Sequence, residues 1–404
     1  MKFSYKARSA SGRLFTGKVE AENRYKAAAL LRERRLFVVE LKESASGAAV
    51  SFDLNRYFQQ KVTTRELAVM CRQLATMVKS GVPILQSLNI LYQQCDNKTL
   101  KETLQKVTGL LEGGKSLTEA LKAHPKVFPQ IFISMIEAGE VSGALDQVLE
   151  RLAVNFEKEH DLKEKVKSAM TYPAVVVVVA VLAVIALMVL VVPTFVNMLQ
   201  DMNAPIPFTT QSIILTSGFL KNYWYLCLLM MVGVIAGYKQ AVKTGQGKKV
   251  RDSLVLKLPI FGPVLQKIII SRFCRSLSTL LKSGVPVLQS LEVVKNIAGN
   301  YAVIKSIEDA ENSIKKGQSI SLPLQKSGVF PPMVTRMISI GEETGSIDAL
   351  LEKIADFYER EVEDVVSRLS SMLEPVLIVG MGGVVGFIIL SIMLPMFSVI
   401  NSVE

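Results

Sequence analysis

Three almost wholly apolar segments interrupt a chain whose other regions mix polar and apolar positions. They cover residues 172–196, 222–240 and 374–397, and each is close to the ~20 residues that an α-helix needs to cross a bilayer. The second is the weakest candidate, because its unbroken apolar run is short and rich in aromatic residues. The pattern predicts three transmembrane helices, with helices buried in a protein core as the alternative.

The polar region before the first apolar segment has the period of α-helices. From Thr63 onward, apolar residues recur at the spacing of one buried helical stripe: Leu67, Met70, Cys71, Leu74, Met77 and Val78. Further helices are predicted over 99–111, 116–122, 130–138 and 144–169. Short loops join them, so the region is predicted to be an antiparallel helical bundle in a mainly α protein.

The same design occurs twice along the chain. The decapeptide at 79–88 returns at 282–291 with a single Ile-to-Val difference, and the pattern Gly-Glu-x-[Ser/Thr]-Gly occurs in register at 139–143 and 341–345. Similarity over such a length indicates an internal duplication. A second bundle, homologous to the first, is therefore predicted before the last apolar segment.

Glycine and proline mark a helix corner inside each decapeptide. Gly81 and Gly284 can end a helix at low conformational cost, and Pro83 and Pro286 stop its continuation while suiting the start of the next helix. Buried stripes on either side explain the remaining letters. These residues are therefore interpreted as scaffold, and their value is that they fix the register of the duplication.

The pentapeptides predict a second pair of corners. Gly139 and Gly341 are expected to end one helix, and Ser142 and Thr344 to cap the next. The glycines that close the two motifs belong to the same corners: Gly143 and Gly345.

Acidic residues at the second corners are the candidate interaction site. Glu140 and Glu342 do not have the spacing of a capping box, so each could bind a backbone donor, an arginine or a partner protein. Asp146 and Asp348 follow them in register. A structural role and a partner-binding role stay equally open for the two glutamates.

Residues 1–43 are predicted to be a small α/β unit, with strands near 3–7, 17–21 and 37–39 and a helix over 25–35. The predicted segments that follow are a linker at 44–61, the first cytoplasmic bundle at 62–171, the first span at 172–196, an extracytoplasmic segment at 197–221, the second span at 222–240, a cytoplasmic connector at 241–264, the second bundle at 265–373, the third span at 374–397 and an extracytoplasmic tail at 398–404.

The net charge of +11 is interpreted as a membrane feature. Lysines and arginines crowd the ends of the first two spans that adjoin the bundles, whereas the segment between those spans offers only Lys221. By the positive-inside rule, the N-terminus and both bundles are cytoplasmic and the C-terminus is extracytoplasmic. Basic residues beside spans also suit anionic lipid headgroups, so nucleic acid is not expected as a partner.

Catalytic and cofactor signals are weak. Residues 109–116 match the P-loop pattern letter for letter, but a helix rather than a strand is predicted before them, so a helix end followed by the N-cap Ser116 explains the match. His124 and His160 lack partners at metal-ligand spacing, and the four cysteines show no metal or disulfide pattern. The chain is expected to be neither an enzyme nor a cofactor-binding protein, and no metal site is predicted. The acidic helices after the second corners are interpreted as solvated, with a cation held between two copies as the alternative.

Taken together, these residues resemble the inner-membrane platform proteins of type II secretion and type IV pilus assembly (GspF/PilC). The resemblance rests on the two pairs of corners, on the prolines Pro173, Pro193, Pro375 and Pro395 that bound the outer spans, and on the N-terminal pattern Tyr5-Lys6-Ala7…Gly12…Gly17. It covers essentially the whole chain. The sequence departs from exact duplication at Val141 and Glu343, so the two repeats need not have equal roles.

The resemblance implies a multi-pass protein of the bacterial inner membrane without enzymatic activity. Its expected partners are a hexameric cytoplasmic assembly ATPase, pilin or pseudopilin subunits in the membrane, other inner-membrane components of the machine and further copies of itself. Gly382 and Gly386 form a Gly-xxx-Gly face on which another membrane helix could pack. Alternatives are a transporter or channel subunit and a membrane-bound sensor. The sequence leaves pilus and secretion system undecided.

Overall fold

A computed structural model of the chain describes residues 2–9, 14–33, 36–43, 60–201, 208–259 and 261–402. The chain divides into two compact units, Met1–Gln59 and Gln60–Glu404. The division falls inside the predicted linker, most of which lies outside the described residues. The finer domain boundaries remain predictions.

The first unit is a small sheet covered by one helix. Its elements are β1 (Lys2–Ser9), β2 (Leu14–Glu20), α1 (Arg24–Glu33) and β3 (Leu36–Glu43). Both outer strands pair antiparallel with β1, in the order β2-β1-β3. Gly17 lies opposite Tyr5, where a Cβ atom would come within 2.8 Å of the Tyr5 hydroxyl. Ala27 and Leu31 of α1 are buried against the sheet.

The second unit begins with the first helical repeat. Its helices are α2 (Thr64–Lys79), α3 (Ile84–Gln94), α4 (Lys98–Glu112), α5 (Leu117–Lys122), α6 (Gln130–Ser142) and α7 (Leu145–Ala186). Thr63 closes a reciprocal capping box with Glu66 at the start of α2. The predicted stripe of α2 is confirmed, because Leu67, Met70 and Leu74 are buried in the core.

The chain then continues through helices around the second predicted span into the second repeat. A π-helical turn (Leu187–Val191) links α7 to α8 (Val192–Asp201), and α9 (Phe208–Lys243) and α10 (Gly245–Lys257) follow. The second repeat comprises α11 (Phe261–Lys282), α12 (Val287–Ile297), α13 (Tyr301–Lys315), α14 (Ser321–Lys326), α15 (Pro332–Thr344) and α16 (Ile347–Ser402).

The helix corners of the decapeptides are confirmed. Gly81 and Gly284 have left-handed φ angles of 83° and 81°, a conformation that glycine adopts without strain. In the first corner, Gly81 N donates to Val78 O and Val82 N donates to Met77 O, at 3.0 Å each, which satisfies the last carbonyls of α2. Pro83 and Pro286 stand directly before the next helices.

The corners of the pentapeptides differ from the prediction in two respects. Gly143 and Gly345, not Gly139 and Gly341, end α6 and α15, with φ angles of 72° and 67°. Helices α6 and α15 continue past Gly139 and Gly341, which are helical. These two glycines allow the start of the next helix to pack closely. A Cβ atom on Gly341 would lie 2.8 Å from Ile347 Cα.

The prediction that Ser142 and Thr344 cap the following helices is wrong. Ser142 Oγ donates to Ala138 O and Thr344 Oγ1 donates to Ile340 O, each one turn back in its own helix. Ala144 occupies the N-cap position of α7 and provides no side-chain cap.

Each repeat ends in one unbroken helix that also contains an apolar span. The continuous helices Leu145–Met198 and Ile347–Met393 are long and apolar enough to cross a membrane. Pro173 lies inside α7 rather than at a helix boundary, and α16 continues through Ser402, so the predicted tail at 398–404 is helical as far as it is described. Bundle and span therefore share a helix.

The predicted second span lies within α9 and is the least regular of the three. Tyr223, at its start, has non-helical angles (φ −122°, ψ 20°), and the apolar stretch that follows, Leu229–Val242, is shorter than a full crossing. Two of the three predicted spans are thus supported by the described helices. The span predicted at 222–240 remains a prediction.

The two long helices run parallel, and α9 packs against both. In the contacts between the two long helices, the residue numbers increase in both helices at once: Lys165 Nζ lies 2.5 Å from Glu363 Oε1, and farther along Ser370 Oγ donates to Ala169 O at 2.8 Å. Farther along, Ser217 Oγ of α9 donates to Met188 O in the π turn at 2.6 Å. Such a bond matters in an apolar setting, where water cannot satisfy a carbonyl that the helix leaves free.

A substitution at Gly341 tests the close packing of the corner. We expect Gly341→Ala to lower the unfolding temperature of the detergent-solubilised protein, by about 1–3 kcal/mol of stability, because backbone must shift around the new methyl group. The control is Gly109→Ala: this helical glycine has nothing within 4 Å of the added Cβ, and alanine there should stabilise α4 by about 0.5–1 kcal/mol. Scanning calorimetry measures both, and an equal effect would contradict the packing role.

Candidate interaction surfaces

An arginine clamp ties the first helix of each repeat to its long helix. In the first repeat, Arg72 Nε and Nη2 donate to Glu157 at 2.7 and 2.6 Å, and Nη1 contacts Glu150. Hydrogen bonds to Glu157 and Glu150 raise the pKa of Arg72, and the same contact lowers the pKa of Glu157. The clamp fixes α2 against α7 in the part of α7 that precedes the apolar span.

The second repeat has a more buried clamp, in which the arginine and one glutamate are equivalent but the second carboxylate, Asp356, comes from a different position. Arg275 donates to Glu359 at 2.9 and 2.8 Å and to Asp356 at 2.5 Å. Burial of Arg275 disfavours its charge, but hydrogen bonds to these carboxylates outweigh that effect, so its pKa is raised. Arg275 and Glu359 are mostly buried, whereas the side chains of the first clamp are more than one-third exposed.

Glu140 and Glu342 each hold the N-terminus of a short helix in their own repeat. Glu140 accepts from Leu117 N at 2.7 Å and from Thr118 N at 3.0 Å, and it also contacts the Thr118 hydroxyl. Glu342 accepts from Ile320 N at 2.6 Å. Backbone N–H groups at a helix start lack partners within the helix, so a carboxylate there is stabilising. Both glutamates are half-buried.

Asp146 and Asp348 lie in the first turns of α7 and α16, one turn beyond the corners. Both are half-buried, and a carboxylate at this position interacts favourably with the helix dipole. The backbone carbonyl of Asp348 accepts from Ser278 Oγ at 2.7 Å, which ties the start of α16 to α11. At each corner, therefore, the glutamate binds the start of the short helix and the aspartate lies in the first turn of the long helix.

The P-loop match at 109–116 has the predicted explanation. It lies at the end of α4, Gly114 has a φ angle of 84°, and Ser116 Oγ accepts from Glu119 N at 3.1 Å as the N-cap of α5. A phosphate-binding loop requires a strand at the position that α4 occupies.

Histidine and cysteine residues form no recognisable chemical centre in the described regions. His124 is half-buried, and burial together with Lys106 lowers its pKa. Burial raises the thiol pKa of Cys71 and Cys274, which makes them unreactive core residues. Among the described residues, no group of three or more His, Cys, Asp or Glu side chains is arranged to hold a metal ion.

The seam between the repeats is a further surface, and the sequence did not predict it. Helices α6 and α7 of the first repeat pack against α11 and α12 of the second, and the hydrophobic core is continuous across them. A cleft of about 180 Å³ remains beside the second clamp, lined by residues that include Asn155, Lys158, Arg272 and Glu359. Lys158 Nζ lies 3.9 Å from Glu359 Oε2. The clamps had a sequence signal in the dipeptide Cys71-Arg72, which recurs in register as Cys274-Arg275.

The fold defines a class: a membrane protein with a duplicated helical bundle, in which the last helix of each bundle continues as an apolar span. Comparison with known proteins identifies the family. The model for "Type II secretion system (T2SS), protein F" matches residues 70–193 and again 273–395, and the model for its N-terminal domain matches residues 1–42. The chain belongs to the type II secretion system protein F family.

Full-length relatives carry names from two machines. The chain is 40% identical over 403 residues to the type IV pilus assembly protein PilC of Thermus thermophilus, covering 100% of this chain and 99% of the relative. It is 38% identical to PilC of Myxococcus xanthus, covering 100% and 96%. It is also 32% identical to the type II secretion system protein F of Vibrio cholerae, covering 99% and 98%.

Breaking the two arginine clamps should have unequal effects. Arg275→Met leaves the buried Glu359 with Lys158, 3.9 Å away, as its remaining close counter-charge, which should cost about 3 kcal/mol. Arg72→Met leaves Glu150 and Glu157 in contact with water and should cost about 1 kcal/mol. Calorimetric unfolding of the solubilised protein measures both. A larger loss for Arg72→Met would contradict the difference in burial.

The first clamp should also depend on pH. Because the folded pKa of Glu157 lies below its unfolded value, the clamp stabilises the protein above the normal carboxyl range and loses that effect as pH falls through the lowered pKa. The difference in unfolding temperature between the unmodified protein and Arg72→Met should therefore be full at neutral pH and shrink in acid. A difference that grows on acidification would contradict this assignment.

Proposed function

We propose that this protein is the inner-membrane platform of a filament-assembly machine, and that it couples a cytoplasmic assembly ATPase to the insertion of pilin or pseudopilin subunits. The observation that carries the proposal is the match over the full length of the chain, both repeats included, to proteins of type IV pilus assembly and type II secretion. A type IV pilus is the first candidate because the pilus relatives reach 40% and 38% identity. A type II secretion machine is the second.

Continuity between bundle and span supports a mechanical role. Because α7 and α16 run without interruption from the bundles into the apolar spans, a force on either bundle acts directly on a membrane helix. The clamps at Arg72 and Arg275 tie the rest of each bundle to that helix. An ATPase that pushes or turns the bundles would thereby move the spans that handle the subunits.

The proposed topology has the N-terminus and both bundles in the cytoplasm and the C-terminus outside it. Basic residues near the bundle ends of the spans support this orientation and contact with anionic lipid. Gly382 and Gly386 have open space around them in this chain, which suits close packing with a pilin helix or another copy. The platform is proposed to be a homo-oligomer that also binds other inner-membrane components of the machine.

Of the four acidic candidates, Asp146 and Asp348 give the cleaner test of partner binding. Glu140 and Glu342 hold helix N-termini, so reversing their charge would combine a folding defect with any loss of binding. We expect Asp146→Lys with Asp348→Lys to reduce recovery of the assembly ATPase when the solubilised platform is pulled down, and to reduce surface filaments. Immunoblots against the ATPase and electron microscopy of cells measure these outcomes.

The matched control reverses two exposed acids elsewhere on the bundles, Glu102→Lys with Glu308→Lys, which makes the same change in net charge. It should leave ATPase recovery and filaments intact. Equal loss in both double variants would show a nonspecific charge effect and contradict the proposed role of Asp146 and Asp348. Normal filaments and secretion in a strain that lacks the whole protein would overturn the proposed function itself.

A further inference from the structure

The seam between the repeats uses a different face of each. From the first repeat it uses α6 and α7, here called the covering face. From the second it uses α11, α12 and α16 from Glu359 onward, here called the receiving face. Across the seam, Arg151 Nη1 contacts Lys282 O and lies 3.5 Å from Ser283 Oγ. Lys158 faces Glu359.

Because the repeats are homologous, each carries the counterpart of the face that the other uses. The second repeat has a covering face at α15 and α16, and the first has a receiving face at α2, α3 and α7 from Glu157 onward. Within one chain, the seam engages neither of these two.

The receiving faces differ in burial at residues of identical type. Thr279 and Ser283 of the second repeat are only 9% and 8% exposed. Their counterparts in the first repeat, Thr76 and Ser80, are both exposed. Thr76 Oγ1 and Thr279 Oγ1 make the same hydrogen bond to the carbonyl one turn back, so local structure does not explain the contrast. It follows that the receiving face of the first repeat is open.

The covering faces show the same contrast with apolar side chains. Ile131 and Asn155 of the first repeat are 3% and 5% exposed, whereas their counterparts Met333 and Phe357 are 40% and 46% exposed. The second repeat thus presents large apolar residues at the positions that the first repeat covers in the seam. Exposed aromatic and methionine side chains of this kind are typical of interaction surfaces.

We propose that the open covering face of one copy docks on the open receiving face of a second copy, so that the contact between copies repeats the seam within each chain. The inference rests on the proposed homo-oligomer and specifies its interface. In this contact, Lys353 takes the place of Arg151 and reaches the carbonyl of Lys79 beside Ser80. Arg360 takes the place of Lys158 and faces Glu157.

The residue changes between seam and interface are complementary. Asn155 and Arg272 line the same cleft in the seam, and their counterparts are Phe357 and Val69. Val69 is 49% exposed. A polar pair within the chain thus corresponds to an apolar pair between copies, while the two cationic positions and the carboxylate of Glu157 are retained. Burial of Phe357 against Val69 favours association, and the retained charges fix the register.

The proposed contact is heterologous, because it joins different faces of the two copies. Contacts of this kind close into a ring or continue as an open array, and they do not form an isologous pair. Since α7 and α16 run parallel and both lead into the membrane, the operation that relates neighbours is a rotation about an axis along the membrane normal. That geometry keeps every copy in the same bilayer.

Cysteine crosslinking of the full-length protein in membranes tests the proposal. Two differently tagged copies are co-expressed, one carrying Val69→Cys and the other Phe357→Cys, and a copper–phenanthroline oxidant is added. We expect a disulfide-linked dimer containing both tags. A chain carrying Asn155→Cys with Arg272→Cys is the positive control, because it should crosslink within itself across the cleft.

Two mixtures distinguish the proposed interface from the alternatives. Phe357→Cys expressed in both tagged copies should give no dimer, since a heterologous contact does not bring Phe357 against itself. Val69→Cys with Val141→Cys should give none either, although Val141 is 87% exposed, because Val141 lies on neither open face. Crosslinking of Phe357→Cys to itself, or failure of the mixed pair, would overturn the proposal.

A charge exchange provides an independent measurement that a folding defect cannot imitate. Val69→Glu or Phe357→Lys alone should reduce the oligomeric fraction of the solubilised protein about tenfold or more, since each buries an unpaired charge. Both substitutions in one chain should restore it, because the charges then meet across the contact. Light scattering measures the mass. Single variants that stay fully oligomeric would refute the interface, whereas loss of filaments with an intact oligomer would count against the proposed function alone.

Discussion

An arginine held between two carboxylates fastens the first helix of each repeat to the long helix that enters the membrane. The rest of the architecture depends on this contact, because the long helix belongs to two environments at once. At 1.5 Å per residue, the 42 residues of α7 extend about 63 Å, of which only part can pack in the bundle. A helix shared in this way transmits force only if the bundle cannot slide along it. Arg72 and Arg275 prevent sliding, since each must keep both of its carboxylates satisfied.

The two clamps are chemically alike and differently placed, and the seam explains the difference. Helix α7 of the first repeat lies over the second clamp and removes it from water, whereas the first clamp has no such cover in its own chain. Low dielectric strengthens the second clamp and also makes it costly to break. A duplication that began with two equal domains has therefore produced unequal ones without changing the arginine or its main glutamate partner. The asymmetry in burial comes from contact between repeats. The clamps also differ in their second carboxylate, which is Glu150 in the first and Asp356, the counterpart of Val154, in the second.

Local chemistry made much of the fold predictable from the sequence. Turn glycines, prolines and helical stripes located the α2–α3 corner and the helices of both repeats, and strand alternation located the N-terminal sheet. Prediction failed where the role of a residue depends on how neighbouring helices pack or continue. Gly139 looked like a helix end, but it is a helical glycine packed against Leu145 and Val148, at 3.1 Å from its prospective Cβ. Pro173 looked like a boundary, yet a long helix tolerates one missing hydrogen bond where neighbouring turns hold it.

The candidate site shows the same limit more sharply. The repeated glutamates were recognisable as unusual, but Glu140 accepts from N–H groups 22 and 23 residues away because α5 folds back on α6. Glu342 accepts from the N–H group of Ile320, 22 residues away, because α14 folds back on α15. The seam had no sequence signature at all, because a homologous repeat contains the counterpart of every seam residue whether or not it is used. Only a comparison of burial at equivalent positions distinguishes used faces from open ones.

That comparison also bears on why a platform would be built from a duplicated domain. A heterologous seam leaves one covering face and one receiving face open on every chain. Both long helices also enter the bilayer in the same direction. Neighbouring copies can then continue the arrangement without inverting any domain relative to the membrane. The parallel spans are brought side by side, with α9 packed against them through Thr210 and Ser217. In the proposed oligomer, a force on one bundle would pass through the same kind of contact within a chain and between chains.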